Sequence, residues 1–225
     1  MKDLHRKAIL GTAQTLAILL AAVFLPAWTL RYWQGWLCLA MFFVPASLIS
    51  VWLARNDPAL LARRVNAGPA AEKEFGQKVV QSIAAIVFIA DFVVPALDHR
   101  FGWSRVPLAA VVAGDLMMLA GLAICFSVAK VNTYASGIIE VAEEQKVIST
   151  GPYALVRHPL YSGALILLYG IPLALGSWWG LLVNLPLTAA LVWRLLDEEQ
   201  FLARELPGYA EYREKVKYRL VPHVW

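Results

Sequence analysis

Six stretches of this chain are too apolar to rest in water, and their lengths limit what can be built from them. Ala8–Trp28, Tyr32–Ala54, Val79–Leu97 and Pro107–Ala129 approach or pass the roughly 18 to 20 residues that a helix rising about 1.5 Å per residue needs to cross a hydrocarbon core. Pro159–Leu175 and Trp178–Trp193 are shorter and are parted only by Gly176 and Ser177. They read as a tight helical hairpin that turns at the far membrane face, with Pro172 and Pro186 as kinks; a re-entrant hairpin that stops short of that face is the alternative. The first run exceeds a signal-peptide core and has no clear small-residue cleavage site, so it counts as a span. With 60% of 225 residues apolar and only 16% charged, against about 25% in soluble domains, water is not the main solvent. The expected fold is an all-α integral membrane bundle of about five to six transmembrane helices, closed by the hairpin over 159–193 and a polar C-terminal tail.

Cations favour the cytoplasmic side of a membrane. If the N-terminus is inside, only Arg31, Arg100 and Arg105 of the 20 Lys and Arg residues fall outside. Those inside include Lys2, Arg6 and Lys7, then Arg55, Arg63, Arg64, Lys73 and Lys78 between the second and third runs. An even number of spans with both termini cytoplasmic follows. Segment 57–78 is too polar to cross, and Pro58 opens a short helix suited to lying on the membrane surface. Residues 1–130 thus form one unit of four spans, and 131–225 a second. Trp28, Trp33, Trp36, Trp103, Trp178 and Trp179 sit near run ends, where an indole is half wet and half buried. Cys38 and Cys125 lie inside apolar runs as free thiols, and no Cys/His spacing suggests a metal.

Two carboxyl groups lie within spans, Asp91 and Asp115, where a charge is costly unless paired, protonated or wet. They read either as structural groups bonded to a neighbouring helix or as part of a cavity or proton path. The densest polar cluster is elsewhere, from Gly151 to Gly163. Pro159 suits a first helical turn, so His158 stands at the helix start with Arg157 beside it, where free N–H groups and the helix dipole favour an anion. Gly163 admits a ligand or a neighbouring helix; a cap with side chains reaching lipid headgroups is the plainer account of the whole cluster. A second cluster, Arg194 with Asp197, Glu198 and Glu199, follows the last run. Arg194 and Glu198 stand at i and i+4, the spacing of a surface ion pair. A tight hairpin returns this cluster to the level of His158, so the two can share one pocket.

In these residues the chain resembles the isoprenylcysteine carboxyl methyltransferase family and, in the same region, the wider phospholipid methyltransferase group. The resemblance rests on Gly151-Pro152-Tyr153, Arg157-His158-Pro159-Leu160-Tyr161-Ser162-Gly163, Arg194 with Glu198-Glu199, and Tyr209 to Tyr212 through Arg219 to Pro222. It covers about Asn132 to Pro222. It implies an S-adenosylmethionine pocket closed by a cytosolic tail and open laterally to lipid. By matching position, Gln145, Lys146, Val147 and Ile148 would run along the cofactor, with Tyr153, His158, Pro159, Leu160, Tyr161 and Glu198 touching it. Arg194, Asn132, Glu198 and Glu199 would serve the acceptor and the chemistry. No metal is implied, because a sulfonium is already a good methyl donor and the protein's task is alignment in a dry site.

The resemblance further implies a lipophilic small molecule or lipidated substrate and contact with membrane lipid, with no nucleic acid and no obligate protein partner. A carboxylate acceptor needs no general base and could be oriented by Arg194; an amine would need one, with Glu199 or His158 in reach. Methyl transfer is better supported than prenylcysteine as acceptor, with phospholipid N-methylation the neighbouring alternative. A steroid-reductase-like enzyme using reduced nicotinamide is a rival, although the segment from Lys130 to Arg157 sets only three cations against Glu140, Glu143 and Glu144. A transporter or lipid-binding protein is the other, with Asp91 and Asp115 as its support.

Overall fold

A computed structural model describes residues 2–72, 74–135 and 145–225; Lys73 and the three glutamates of 136–144 lie outside the described residues. Among the described residues there are eight α-helices and no strand. They are α1 (Lys2–Ala27), α2 (Trp33–Asn56), α3 (Pro58–Val65), α4 (Phe75–Phe101), α5 (Leu108–Val131), α6 (Pro159–Ala174), α7 (Trp179–Glu205) and α8 (Tyr209–Lys215). Five of them, α1, α2, α4, α5 and α7, are long and apolar enough to cross a membrane. The protein is a multi-pass membrane bundle, as its apolar runs require.

The fifth run gives α6, a shorter apolar helix. Its turn into α7 nevertheless reaches the level of the α4–α5 connection. Ser177 donates from Oγ to Asp98 near the end of α4, and Ser104 in that connection donates from Oγ to the same carboxylate at 2.6 Å. The Trp178 amide then donates to Ser104 Oγ at 3.2 Å. These bonds place the hairpin tip beside the far ends of its neighbours. Gly176 makes the turn at φ +76, a conformation open to glycine at little cost.

Helices α5 and α6 touch backbone to backbone. A Cβ at Gly121 would stand 2.5 Å from the Gly163 carbonyl oxygen, and one at Gly170 would stand 2.8 Å from that of Gly114. Gly163 therefore serves a neighbouring helix rather than a ligand, and small residues bring the two helices together as they do in bilayers. The core between α1, α2, α4, α5 and α6 is built from Leu19, Val23, Phe92, Met118 and Ile171, with Tyr32 buried at the hairpin-tip end.

The helices bear on three sequence expectations. Helix α7 continues past the apolar run that stops at Trp193 and runs unbroken to Glu205, so Arg194, Glu198 and Glu199 are positions on one helix, as their i and i+4 spacing supposes. Segment 57–78 is not wholly a surface element. Its first part is α3, capped by Asp57 Oδ1 accepting from the Leu60 amide at 2.9 Å, but residues 75–78 already belong to α4 and Glu72 is buried. Asp91 is fully buried and accepts from Asn184 of α7 at 2.9 Å, the interhelical role open to it in the sequence.

Candidate functional site

At the end of the bundle where α6 begins, a cavity of about 520 Å³ opens between α4, α6, α7 and the C-terminal segment. Its deep half is apolar, walled by Val80, Ala84 and Phe88 of α4 and by Leu187 and Leu191 of α7. Its upper half is polar. Gln145, Lys146, Val147 and Ile148, a stretch without regular structure, line one side. Tyr153, His158, Leu160 and Tyr161 line a second, and Arg194 and Glu198 a third. Asn132 joins them from the end of α5. The spread of these residues over 67 positions is closed by the hairpin, which returns α7 to the level of α6's start.

The α6 start is built by the tail that crosses it. The amides of Arg157 and His158 donate to the carbonyls of Tyr218 and Arg219, both at 2.9 Å. Ser162 Oγ donates to the Leu220 carbonyl at 2.7 Å, and the Arg157 guanidinium reaches the carbonyls of Val216 and Lys217 at 3.0 and 3.1 Å. Two of the N–H groups expected to await an anion at this helix start are thus already satisfied from within the chain. Glu199 joins the assembly. One of its oxygens takes Arg157 Nε at 2.6 Å and lies 3.2 Å from His158 Nε2, and the other takes Arg219 Nε at 3.1 Å. Glu199 is only 2% exposed and lies behind the cavity wall. Its geometry is that of a strap holding the tail. Pro159 likewise sits at the first turn of α6 without lining the cavity.

Arg194 and Glu198 communicate through a phenol. Tyr161 donates to Glu198 Oε2 at 2.7 Å and accepts from Arg194 Nε at 3.0 Å. Arg194 pairs with Glu72 at 2.8 Å, and its Nη1 donates to Gln77 Oε1 at 2.7 Å. Gln81 donates to the same Glu72 oxygen at 3.2 Å, and Gln77 donates to Asp197. The guanidinium expected to face an acceptor is therefore held by α4 and the residues just before it. Glu72 and Gln77 are not among the residues singled out from sequence, and Arg219 enters there only as part of a motif block. Gln77 and Gln81, at i and i+4 where the third apolar run begins, were the available signal, since two amides on one face of a span ask for polar partners.

On the opposite wall, Asn132 Nδ2 donates to the Tyr153 hydroxyl at 2.7 Å, and Tyr212 donates to the Tyr153 carbonyl at 2.8 Å. Burial pushes the Tyr153 phenol up to about 12, aided by the charge of Glu198 and opposed by the bond from Asn132. Tyr209 and Tyr212 are raised further, again chiefly by burial. All three phenols are neutral at physiological pH. The described residues hold no group of His, Cys, Asp and Glu able to bind a metal ion.

Comparison with known proteins gives two similarities. Residues 109–207 match the phospholipid methyltransferase family, a stretch running from the start of α5 to just past α7. The wider group resembled by the sequence is thus matched over α5, α6 and α7. A relative is the Delta(14)-sterol reductase TM7SF2 of Mus musculus, 34% identical over 90 residues. That alignment takes in 39% of this chain and 22% of the reductase, so the chain spans about a fifth of the length of that relative.

Proposed function

We propose that this protein is an integral membrane methyltransferase that takes its methyl group from S-adenosylmethionine and passes it to a lipophilic or amphiphilic acceptor. The observation that carries the reading is a single cavity, polar above and apolar below, lined by eleven of the residues that the motif resemblance assigns. The match of residues 109–207 to a methyltransferase family supports the same reaction class. A cavity of about 520 Å³ falls within the range of small-molecule sites.

The residues present suit this cofactor. S-adenosylmethionine supplies, when bound, a methyl group already activated on a sulfonium. Glu198, a carboxylate in a cavity with largely apolar walls, favours a cation nearby and accepts from amino or ribose hydroxyl donors. Tyr161 keeps that carboxylate aimed, and Arg194, held by Glu72 and Gln77, keeps Tyr161 aimed in turn. Arg194 is accordingly assigned to positioning. Gln145 to Ile148 lie along the cofactor, with Tyr153, His158 and Leu160 facing it and Asn132 orienting Tyr153. The apolar walls below receive the lipophilic part of the acceptor and keep water from the reacting centre. A carboxyl group such as that of an isoprenylcysteine would need no base; for a phospholipid amine the base would be sought at His158, which Glu199 orients.

The sterol-reductase relative favours a second reading, in which the same cavity takes a reduced nicotinamide cofactor. Titrating labelled S-adenosylmethionine and reduced nicotinamide cofactor against the detergent-purified protein separates the two. Saturable binding of the first is expected. Binding of the nicotinamide cofactor alone would overturn the methyltransferase reading. The transporter alternative loses part of its support, because Asp91 is bonded to Asn184 between two helices.

A further inference from the structure

A second cavity, of about 400 Å³, lies between α1, α2, α3 and α5, separate from the lining of the first. Most of its wall is hydrocarbon, including Phe42 and Phe43 of α2 and Leu122 and Phe126 of α5. Thr12, Thr15 and Ser50 line it too, but each hydroxyl is spent on a carbonyl of its own helix. The exception is Arg64, at the end of the cavity where Lys7 also stands. Its Nε and Nη2 are buried with no hydrogen-bond partner among the described residues.

Those two nitrogens form one edge of the guanidinium, with parallel N–H bonds spaced to fit two oxygens of a phosphate or carboxylate. A buried cation without such a partner costs several kcal/mol, so the arrangement is complete only with an anion in place. Burial works against the charge of Arg64, and the ion pairs of the described residues do not include it. The groove has the form that an anionic lipid fills. Its cations stand at one end, and its aromatic and aliphatic walls run along helices that cross the membrane.

We propose that this groove is a binding site for an anionic glycerophospholipid, with the headgroup phosphate gripped by Arg64 Nε and Nη2, Lys7 adding charge, and an acyl chain lying along Phe42, Phe43 and Phe126. The occupant is a resident lipid, distinct from any acceptor in the first cavity. Gly11 shapes the groove: it lies on the wall, and a Cβ there would meet nothing within 4 Å. A larger side chain at position 11 therefore enters the space meant for the acyl chain without disturbing the packing of the bundle.

Native mass spectrometry and thermal unfolding of the full-length protein in detergent test this, using dioleoyl phosphatidylglycerol, dioleoyl phosphatidylcholine and inorganic phosphate as separate probes. Phosphatidylglycerol should bind one to one and raise the melting temperature, with phosphatidylcholine about tenfold weaker and inorganic phosphate without effect. Arg64→Met should lose that shift and about tenfold in phosphatidylglycerol affinity, while melting no lower than wild type in lipid-free detergent, because it removes an unpaired buried charge. Gly11→Leu should lose the shift while keeping Arg64. An equal phosphatidylglycerol shift in wild type and both variants overturns the site, and so does an equal response to inorganic phosphate. Because binding at this groove is read without any cofactor, failure here leaves the methyltransferase reading standing, and the reverse also holds.

Discussion

Glu72 Oε1 lies 2.8 Å from Arg194 Nη2, joining the segment that leads into α4 to the polar end of α7 in a pair whose side chains are 3% and 7% exposed. Breaking a buried pair by removing one partner costs about 3 to 5 kcal/mol, most of it the charge left behind. Because Arg194 holds Tyr161, and Tyr161 holds Glu198, the effect should reach the cavity. Arg194→Ala and Glu72→Ala are each expected to weaken S-adenosylmethionine binding and methyl transfer together. A double-mutant cycle should show a coupling of about 1 to 3 kcal/mol. Unchanged cofactor affinity in Arg194→Ala, with turnover alone depressed, would return Arg194 to gripping the acceptor.

The neighbouring acids should separate in the opposite sense. Glu199→Ala strands Arg157 and Arg219 beside the α6 start and should lower unfolding stability by about 3 to 5 kcal/mol. Glu198→Ala, which loses one bond from Tyr161, should change stability little and lower cofactor affinity about tenfold. Thermal unfolding beside isothermal titration checks both. Comparable melting temperatures in the two variants would contradict the division of labour.

The α5–α6 seam predicts a contrast among glycines. Gly121→Ala places a methyl group 2.5 Å from a backbone oxygen that cannot move aside, and should destabilise by about 1 to 3 kcal/mol. Gly11→Ala, with open space around it, should be neutral or slightly stabilising, since alanine is the better helix former. Melting curves of the two variants in one detergent make the comparison.

Alkaline stability follows from the tyrosines. Tyr153, Tyr209 and Tyr212 have phenols raised by burial, so the folded state holds their protons more tightly than the unfolded chain does. Stability from these groups is complete below their ordinary value of about 10 and is lost as pH rises from there through the raised values. Denaturant unfolding followed against pH should show a decline beginning near pH 10, reduced in Tyr153→Phe. A flat profile to about pH 12 would show that burial does not protect these phenols.

Orientation is open to labelling. The cation distribution puts the residues between α3 and α4 inside and the α4–α5 connection outside. An impermeant thiol reagent applied to cells should therefore reach Trp103→Cys and miss Ala70→Cys, in a background where Cys38 and Cys125 are replaced. The reverse pattern would move the cavity mouth to the other side of the membrane.

The apolar runs were legible because hydrocarbon demands length, and the start of α6 because Pro159 and His158 mark it locally. The end of α7 was not. Trp193 looked like the edge of a span, whereas the charged residues beyond it continue the helix with their polar groups turned to Glu72, Gln77 and the tail. Glu199 was legible as chemistry but not as architecture. Its three nitrogen-bearing neighbours, Arg157, His158 and Arg219, come from the α6 start and from position 219, and no spacing in the chain announces that they meet. The Arg194–Glu72 pair was hidden by a nearer possibility, since i and i+4 spacing on a helix competes with a partner that only folding supplies.

Helix α6 carries one last consequence. Its 16 residues, rising about 1.5 Å each, measure about 24 Å against a hydrocarbon thickness of about 30 Å. With its tip fixed to Asp98 and Ser104 at one face, it falls about 6 Å short of the other, and the seam with α5 prevents it from sliding to make up the difference. The resulting hydrophobic mismatch is confined to one flank of the protein. Thinning of the bilayer on that flank, one of the ways a membrane meets a short span, would draw headgroups down to the level of Arg157 and His158 and give the proposed acceptor a path to the cavity from within the leaflet.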